Sequence, residues 1–301
     1  MVKKSKMQEP TSEKIFNLIN IFLLIIVTLI LLYPLWFVVS ASFSNPRKIF
    51  ETPLLLWPRG WNLDGYKMIF ENKEIWIGMK NSIIYTVLGT ILNLVMTTMA
   101  AYPLSRKELK GRGKITFFFT FTMFFSGGLI PTYLLNQSLG IVDTIWVMII
   151  PGAISVYNLI IMRTYFQQNI PTELEESAFL DGATDLQLVL KIVLPLSTPI
   201  IAVMTMFYGL GRWNSYFDAM IYLSDRSMFP LQLILREILI QSQTLANNNQ
   251  LITSNTMDQI SQSKEAIKYA VIVIASLPIF VIYPITAKYF EKGIMMGSVK
   301  G

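Results

Sequence analysis

Six long uncharged stretches constrain the fold of this chain more than any other feature. Each is near or above the roughly 18 residues that a helix needs to cross a bilayer. Hydrocarbon offers no hydrogen-bond partner to an open backbone, so such stretches must form helices. They occupy residues 21–39, 81–105, 115–142, 144–162, 192–211 and 269–287. The sequence therefore predicts an all-α integral membrane protein with six transmembrane helices.

Composition supports this prediction and excludes several kinds of chemistry. Of the 301 residues, 53% are hydrophobic and 15% are charged, whereas a soluble domain has about 25% charged residues. The chain has no cysteine and no histidine, which excludes thiol nucleophiles, disulfides, and histidine-based metal sites or acid–base catalysis. The net charge of +6 does not indicate a nucleic-acid partner, because the basic residues cluster at the ends of apolar stretches.

The first apolar stretch raises the alternative of a cleaved signal peptide. Lysines precede it, and the small residues Ser40-Ala41-Ser42 follow it. However, residues 21–39 form a run longer than the roughly 7–15 apolar residues of a signal-peptide core. We expect this stretch to be retained as the first transmembrane helix.

Lysine and arginine near the span ends predict the orientation of the chain. They accumulate at the N-terminus, in the connection after the second span and in the C-terminal tail, and they are absent around Asp143. This pattern predicts that both termini are cytoplasmic in a multi-pass protein of the bacterial cytoplasmic membrane. The 41–80 connection disagrees, because it is expected outside and yet contains basic residues: Arg47, Lys48, Arg59, Lys67, Lys73 and Lys80.

The hydrophilic connection at residues 166–195 contains a motif with fixed spacing. The motif runs Glu176-Ser177-Ala178, three residues, Gly182, nine residues, and Ile192-Val193-Leu194-Pro195. Pro171 precedes a cluster of acidic residues, which is typical of a helix start. We expect two short helices here, joined at Gly182.

This spacing resembles the EAA motif of ABC-importer permeases, with Ser177 in place of the usual alanine. Asp181-Gly182-Ala183 resembles the sugar-importing branch, and the ending Gly297-Ser298-Val299-Lys300-Gly301 resembles the tail of the maltose-type permease. The resemblance covers a family core of about residues 80–290. It implies a single permease domain over residues 1–301.

The resemblance also implies that the 166–195 connection is a coupling loop that docks into a cleft of a separate ATPase subunit. Glu176 would pair with a basic residue of that ATPase, Gly182 would shape the turn, and Asp181 would cap the second short helix or bond the ATPase. The small residues would keep the contact surface flat. The implied docking residues are Glu176, Ser177, Ala178, Asp181, Gly182 and Ala183, with Val299 and Lys300 of the tail reaching between ATPase subunits.

Further partners follow from the same resemblance. They are a second, different permease subunit, two ATPase subunits that hold ATP and Mg²⁺, and a solute-binding protein that meets the extracytoplasmic connection 223–266. Within that connection, residues 230–240 are expected to form a helix, and the polar residues 241–263 are expected to be flexible or to wrap a partner. The chain lacks the Gly-x-x-x-x-Gly-Lys-Ser/Thr loop, so we expect a non-catalytic subunit that binds no cofactor or metal itself.

The end of the fifth span resembles the Trp-Asn segment of sugar permeases. Trp213 and Tyr216 offer flat faces to a sugar ring, while Asn214 and Asp218 can bond hydroxyl groups. Arg212 is expected near the outer end of the span or in a protein-lined path, because a lipid-facing arginine at mid-depth costs about 2.5–3.5 kcal/mol. Two interpretations stay open for Arg212: a partner for an acidic sugar, or an anchor at the membrane interface beside aromatic residues.

The sequence thus predicts a permease subunit that forms half of the translocation path for a carbohydrate, an oligosaccharide, and couples transport to ATP hydrolysis by a partner chain. An ion-coupled secondary transporter is the alternative. It would need an intramembrane carboxylate, and the six stretches contain none. A membrane-embedded enzyme would need paired acids within spans, whereas Asp143 and Asp218 lie at span ends.

Overall fold

The computed structural model describes residues 11–49, 51, 54–248, 266–280 and 282–284. Within these ranges the chain is built from helices, turns and irregular segments, without a strand. The helices are α1 (Thr11–Ser42), α2 (Asp64–Glu71), α3 (Lys73–Ser105), α4 (Arg112–Phe124), α5 (Leu129–Ser138), α6 (Val156–Asn169), α7 (Thr172–Leu180), α8 (Asp185–Leu188), α9 (Leu194–Leu196), α10 (Thr198–Trp213), α11 (Phe217–Tyr222), α12 (Leu231–Asn248) and α13 (Ala266–Pro284).

Three of these helices, α1, α3 and α13, are each long and apolar enough to cross a membrane. Two bent pairs bring the number to five if each pair counts as one span. Helices α4 and α5 meet at 113° around Gly127 and Gly128, and the segment of α8 to α9 meets α10 at 85°. The remaining predicted span, 144–162, the fourth in chain order, is not among these five.

The stretch 144–162 differs most from its expected helix. It opens with a 3-10 turn, Ile145–Met148, and continues as irregular backbone until α6 begins at Val156. Pro151 has no N–H group to offer a helix, and Gly152 has a φ of +69°. These two residues explain why an apolar stretch of spanning length does not become one continuous helix.

The described residues fall into two compact units. The first contains the residues up to Glu71 and those of 241–274. In this unit the end of α1 joins a small core of Ala41, Ile49, Leu55 and Tyr269. The apolar window of α1 has none of its residues buried, as expected for a helix that is hydrophobic all round and lies in lipid.

The second unit contains residues 72–240 and the described residues from Ala275 onward. Helix α3 packs along both α6 and α10. Their main apolar cluster includes Met162, Phe166 and Met204, and it also takes in Ala178 of α7 and Leu188 of α8. The two short helices of the 166–195 connection therefore rest directly on the packed α3–α6–α10 core.

The helix expected over residues 230–240 is present as α12 and continues to Asn248. Residues 241–248 are thus helical, which corrects the flexible segment expected there. Helix α12 lies close against α3 at Gly78. The glycine allows this approach, because a Cβ at that position would lie 2.5 Å from Ile234 Cδ1. The rest of the polar segment, residues 249–263, lies outside the described residues.

Candidate functional site

Helix α7 begins as its sequence predicts. Pro171 stands at the N-cap with extended backbone, and Glu173 and Glu175 lie in the first turn. Carboxylates there interact favourably with the positive end of the helix dipole. The helix ends at Leu180, where the motif begins its turn.

The turn after α7 is a Schellman motif. The N–H of Ala183 donates to the carbonyl of Ala178 at 2.9 Å, and the N–H of Gly182 donates to the carbonyl of Phe179 at 3.0 Å. These two bonds satisfy carbonyls that a helix end leaves free. They require a left-handed residue at the turn, and Gly182 supplies it with a φ of +80°.

Helix α8 has a different cap from the one expected. Thr184 and Gln187 form a capping box, in which each side chain accepts a hydrogen bond from the other residue's backbone N–H. Asp181 is the C-cap of α7 and does not cap α8. A π-helical turn, Val189–Val193, then leads to Pro195, whose missing N–H interrupts the helical bonding.

The motif presents some residues outward and others inward. Its exposed members are Glu176, Ser177, Asp181 and Gly182. Ala178 is only 6% exposed and packs into the main core, and Ala183 is half-buried against it. The two alanines therefore seat the loop on its own chain, while Glu176, Ser177, Asp181 and Gly182, together with the exposed apolar side chains of Phe179 and Leu180, form the outer surface.

Sequence reasoning missed Glu175, which is buried while its neighbour Glu176 is exposed. The carboxylate of Glu175 forms an ion pair with the Arg106 guanidinium just after α3. It also accepts a hydrogen bond from the Tyr102 hydroxyl at 3.2 Å. The sequence does give one indication of this burial: Glu175 lies three residues before Ala178, which puts the two side chains on one face of α7.

Burial governs the electrostatics of this pair. Removal from water raises the pKa of the Glu175 carboxyl, while the charge of Arg106 and the hydrogen bond from Tyr102 act in the opposite direction. The Arg106 guanidinium lies over the Tyr102 ring, 4.7 Å from its centroid. A groove of about 790 Å³ opens beside the pair between the end of α3 and helices α7 and α8.

Arg212 of α10 binds the irregular segment that replaces the fourth predicted helix. Its Nη1 donates to the carbonyl of Met148, and its Nη2 donates to the carbonyls of Ile149 and Pro151, each at 3.0 Å. Its Nε donates to Asn93 Oδ1 of α3, also at 3.0 Å. The guanidinium thus satisfies carbonyls that a missing helix would otherwise have paired.

Two α3 residues complete this arrangement. Asn93 Nδ2 donates to the carbonyls of Gly152 and Ala153 at 2.7 and 2.9 Å. Gly89 leaves room for the arginine, since a Cβ there would lie 2.9 Å from Arg212 Nε. We call Asn93, Arg212 and the five carbonyls that they bind the arginine clamp; the carbonyls are those of Met148, Ile149, Pro151, Gly152 and Ala153.

The remaining residues of the predicted substrate segment are divided between interior and surface. Trp213 is 4% exposed and donates its indole N–H to the carbonyl of Ala275 at 3.1 Å, so its ring is not free to stack on a sugar or to lie at a membrane interface. Asn214, Tyr216 and Asp218 are exposed. Arg212 and Trp213 therefore hold the chain together here, and three exposed candidates remain.

Within the described ranges, no three acidic side chains come close enough to hold a metal ion. The two predicted tail contacts, Val299 and Lys300, lie outside those ranges.

Known proteins are similar to this chain along nearly its whole length. The polygalacturonan/rhamnogalacturonan transport system permease protein YtcP of Bacillus subtilis is 40% identical over 289 residues, covering 96% of this chain and 99% of the relative. Protein LplC of the same organism is 40% identical over 301 residues and covers all of both chains. The crystal structure of a bacterial ABC transporter involved in the import of the acidic polysaccharide alginate has a chain that matches with a TM-score of 0.82 and 32% identity. That match covers 94% of this chain and 99% of the other.

This chain belongs to the permeases of carbohydrate ABC importers.

A search of protein-family models found no match. The membership confirms the resemblance first drawn from the EAA-type spacing and the tail. It confirms an all-helical, multi-pass protein of the cytoplasmic membrane that transports carbohydrate. It supports this function over that of an ion-coupled secondary transporter.

Proposed function

We propose that this permease forms half of the translocation path for an acidic oligosaccharide. One observation carries the proposal: 40% identity along almost the entire chain to a polygalacturonan/rhamnogalacturonan permease. The likeness to the alginate importer chain adds a second relative named for an acidic polysaccharide. The acidity of the substrate does not rest on Arg212, because carbonyl groups of this chain already bind that guanidinium.

The proposed topology has six crossings with both termini in the cytoplasm, within a single permease domain over residues 1–301. The distribution of lysine and arginine supports it. The fourth crossing in chain order would consist of α6 together with the clamped segment before it. Such irregular backbone is tolerated at membrane depth when its polar groups are satisfied within the protein, as the arginine clamp satisfies them.

Coupling would run through the 166–195 loop. The exposed residues Glu176, Ser177, Asp181 and Gly182 would contact the ATPase subunit, with Ala178 and Ala183 seating the loop beneath them. The outward acidic surface on a well-packed base supports this role. Val299 and Lys300 would add a contact from the tail.

The complete importer would contain a second permease subunit, two ATPase subunits that bind ATP and Mg²⁺, and a solute-binding protein. This chain would be non-catalytic and would bind no cofactor. The 223–266 connection would meet the binding protein, and Asn214, Tyr216 and Asp218 would face the path. Transport would follow alternating access, driven by the different affinity of ATP for the closed and open states of the ATPase pair.

Reconstitution tests this proposal directly. Proteoliposomes would contain this chain, its partner permease, the ATPase and the binding protein, with ATP enclosed on the ATPase side. We expect uptake of oligogalacturonate that requires ATP and persists when an ionophore collapses ion gradients, with much slower uptake of maltodextrin. Uptake driven by an ion gradient without ATP would contradict the proposal, and preference for maltodextrin would contradict its substrate.

A further inference from the structure

Helix α7 is connected to its own chain by few side chains. Of its residues Thr172 to Leu180, two are buried, and they are Glu175 and Ala178. Ala178 contributes one methyl group to the main core. A methyl contact is weak and non-directional, so it resists sliding of α7 poorly. Glu175 is the residue of α7 that can make directional, charge-assisted bonds to the core.

Both bonds of Glu175 lead to the end of α3. Arg106 and Tyr102 bind its carboxylate together, and the guanidinium lies over the tyrosine ring. The pair is well shielded, with side-chain exposures of 13% for Arg106 and 8% for Glu175. A shielded, hydrogen-bonded pair is screened little by salt and resists separation far more than a surface pair does.

The end of α3 is itself tied to neighbouring helices. Arg163 of α6 donates from Nε to the carbonyl of Leu104 at 2.8 Å. Arg112 of α4 donates to the carbonyl of Arg106 at 3.2 Å. A displacement of α3 at this point would therefore be shared with α4 and α6.

Further along, α3 is bonded to α10 and to the clamped segment. Thr97 and Tyr208 share a hydrogen bond of 2.6 Å between their hydroxyls, and the Tyr208 hydroxyl accepts from the N–H of Ser155 at 3.2 Å. Asn93 adds its bonds to Arg212 and to the segment. Helix α3 thus makes hydrogen bonds at both places, at its contact with α7 and where it meets α10.

We propose that Glu175 and Arg106 are positioning residues that transmit movement of the coupling loop to α3, and through α3 to the path. This inference rests on the proposed function of the 166–195 loop. The two adjacent glutamates then have different roles: Glu176 faces outward toward the ATPase, and Glu175 faces inward toward α3. A purely structural pair would change the yield of the complex, whereas a transmitting pair sets how much sugar is moved for each ATP hydrolysed.

The test uses the complete importer in proteoliposomes and measures ATP hydrolysed per oligogalacturonate taken up. Variants are Glu175→Gln, Arg106→Gln, and the two combined. Each single change should raise the ATP cost per sugar by about tenfold, within the range seen for residues along a coupled network. The double variant should be no worse than either single variant, because the link is lost once one partner is gone.

Two further variants separate transmission from folding. Glu173→Gln is the matched control, since Glu173 lies exposed in the first turn of the same helix, and it should leave the ratio unchanged. Arg106→Lys keeps a donor and a charge and should fall between wild type and Arg106→Gln. The ATPase should co-purify with every variant in normal amount.

Each other outcome overturns the inference. Unchanged ratios in both single variants would show that the pair transmits nothing, and effects that multiply in the double variant would show independent roles. Loss of the ATPase from Glu175→Gln, with retention in Glu173→Gln, would place Glu175 in assembly instead. Absence of ATP-dependent uptake by the wild-type importer would contradict the proposed function, which distinguishes that failure from failure of the link.

Discussion

At the scale of single residues, the informative side chains are charged groups whose partners belong to the same chain. Arg212 binds three backbone carbonyls, and Glu175 binds the end of α3. Both lie where a sequence suggests contact with a substrate or an ATPase. In each case the shielded charge is paired within the protein, as burial of a charge requires.

Replacing Arg212 by alanine should therefore cost stability before it affects selectivity. Each buried carbonyl left without a donor costs about 1–3 kcal/mol, so the unfolding temperature of the purified importer should fall by about 5 °C or more. Arg47→Ala is the matched control, because Arg47 is exposed, and it should leave that temperature unchanged. A stable Arg212→Ala importer with altered sugar preference would contradict the role of the clamp.

A second residue-level prediction concerns pH. Pairing with Arg106 requires an ionised Glu175. Burial raises the pKa of the Glu175 carboxyl, and the nearby charge of Glu108 raises it further, whereas Arg106 and Tyr102 lower it. The pair is therefore present well above the raised pKa and is lost as the pH falls through it. We expect the ATP cost per sugar to rise as pH is lowered from about 8 to about 5. The Glu175→Gln importer should show a flat ratio over the same range.

Part of what the structure shows for these two side chains was predictable from the sequence. The cost of placing arginine against lipid predicted that Arg212 lies near the outer end of its span or in a protein-lined path. Its contacts with Asn93 and three backbone carbonyls show that it is surrounded by protein. Its partners could not be predicted, because they are carbonyls of an apolar stretch that composition assigns to a helix. Likewise, the motif indicates Glu176 as a functional residue. The inward pairing of Glu175 could not be predicted, because its partner Arg106 lies 69 positions earlier in the printed sequence.

At the scale of elements, the two short helices of the 166–195 connection were predicted closely and the fourth span was not. Two short helices joined at Gly182 followed from an N-terminal proline, acidic first-turn residues and a glycine, all of which act locally. Residues 145–155 depart from a helix because Pro151 and Gly152 interrupt it, and because α3 and α10 supply replacement donors. Local signals predict local elements, whereas the clamp depends on contacts between distant parts of the chain.

The turn between α7 and α8 yields an element-level prediction. Gly182→Ala introduces no clash, since a Cβ there meets nothing within 4 Å, but it must adopt a φ of +80°. That conformation costs a non-glycine residue about 1–2 kcal/mol, equivalent to roughly a tenfold weaker docking of the ATPase. Measured affinity should recover in Gly182→Asn, because asparagine tolerates left-handed backbone better.

Gly211→Ala in α10 is the matched control for this change. A Cβ at Gly211 also meets nothing within 4 Å, and its backbone does not have a positive φ. Alanine is favoured over glycine in a helix by about 1 kcal/mol, so docking should be unaffected. Equal losses in the two alanine variants would show that the turn geometry of Gly182 is irrelevant.

At the scale of the whole molecule, the arrangement of crossings is open to direct measurement. The chain has no native cysteine, so a single introduced cysteine is the only thiol of this chain that a reagent can label. Thiols at exposed positions that are expected outside, or at the outer end of the bent pair α4–α5, should react with a membrane-impermeant reagent added to intact cells: Arg47→Cys, Ser138→Cys and Ser224→Cys. Lys107→Cys and Glu173→Cys should react only after the membrane is permeabilised.

Labelling of Glu173→Cys from outside would contradict the six-crossing topology. Labelling of Ser138→Cys only after permeabilisation would show that the bent pair α4–α5 does not cross. The same experiment decides the 41–80 connection, whose basic residues argue against its expected location. Charge counting alone could not resolve that conflict, because the basic residues of this connection and those of the other connections predict opposite orientations.

The arginine clamp also has a consequence for how the chain is made. Arg212 follows the carbonyls it binds by 61 to 64 residues. During synthesis, residues 148–151 therefore leave the ribosome well before their donor exists. They must wait beside the translocon or in its aqueous interior, because the carbonyls of Met148, Ile149 and Pro151 lack their donor until α10 arrives. Biogenesis of this permease should pause at a half-inserted stage, and a nascent chain truncated before Arg212 should be a preferred target for membrane proteases.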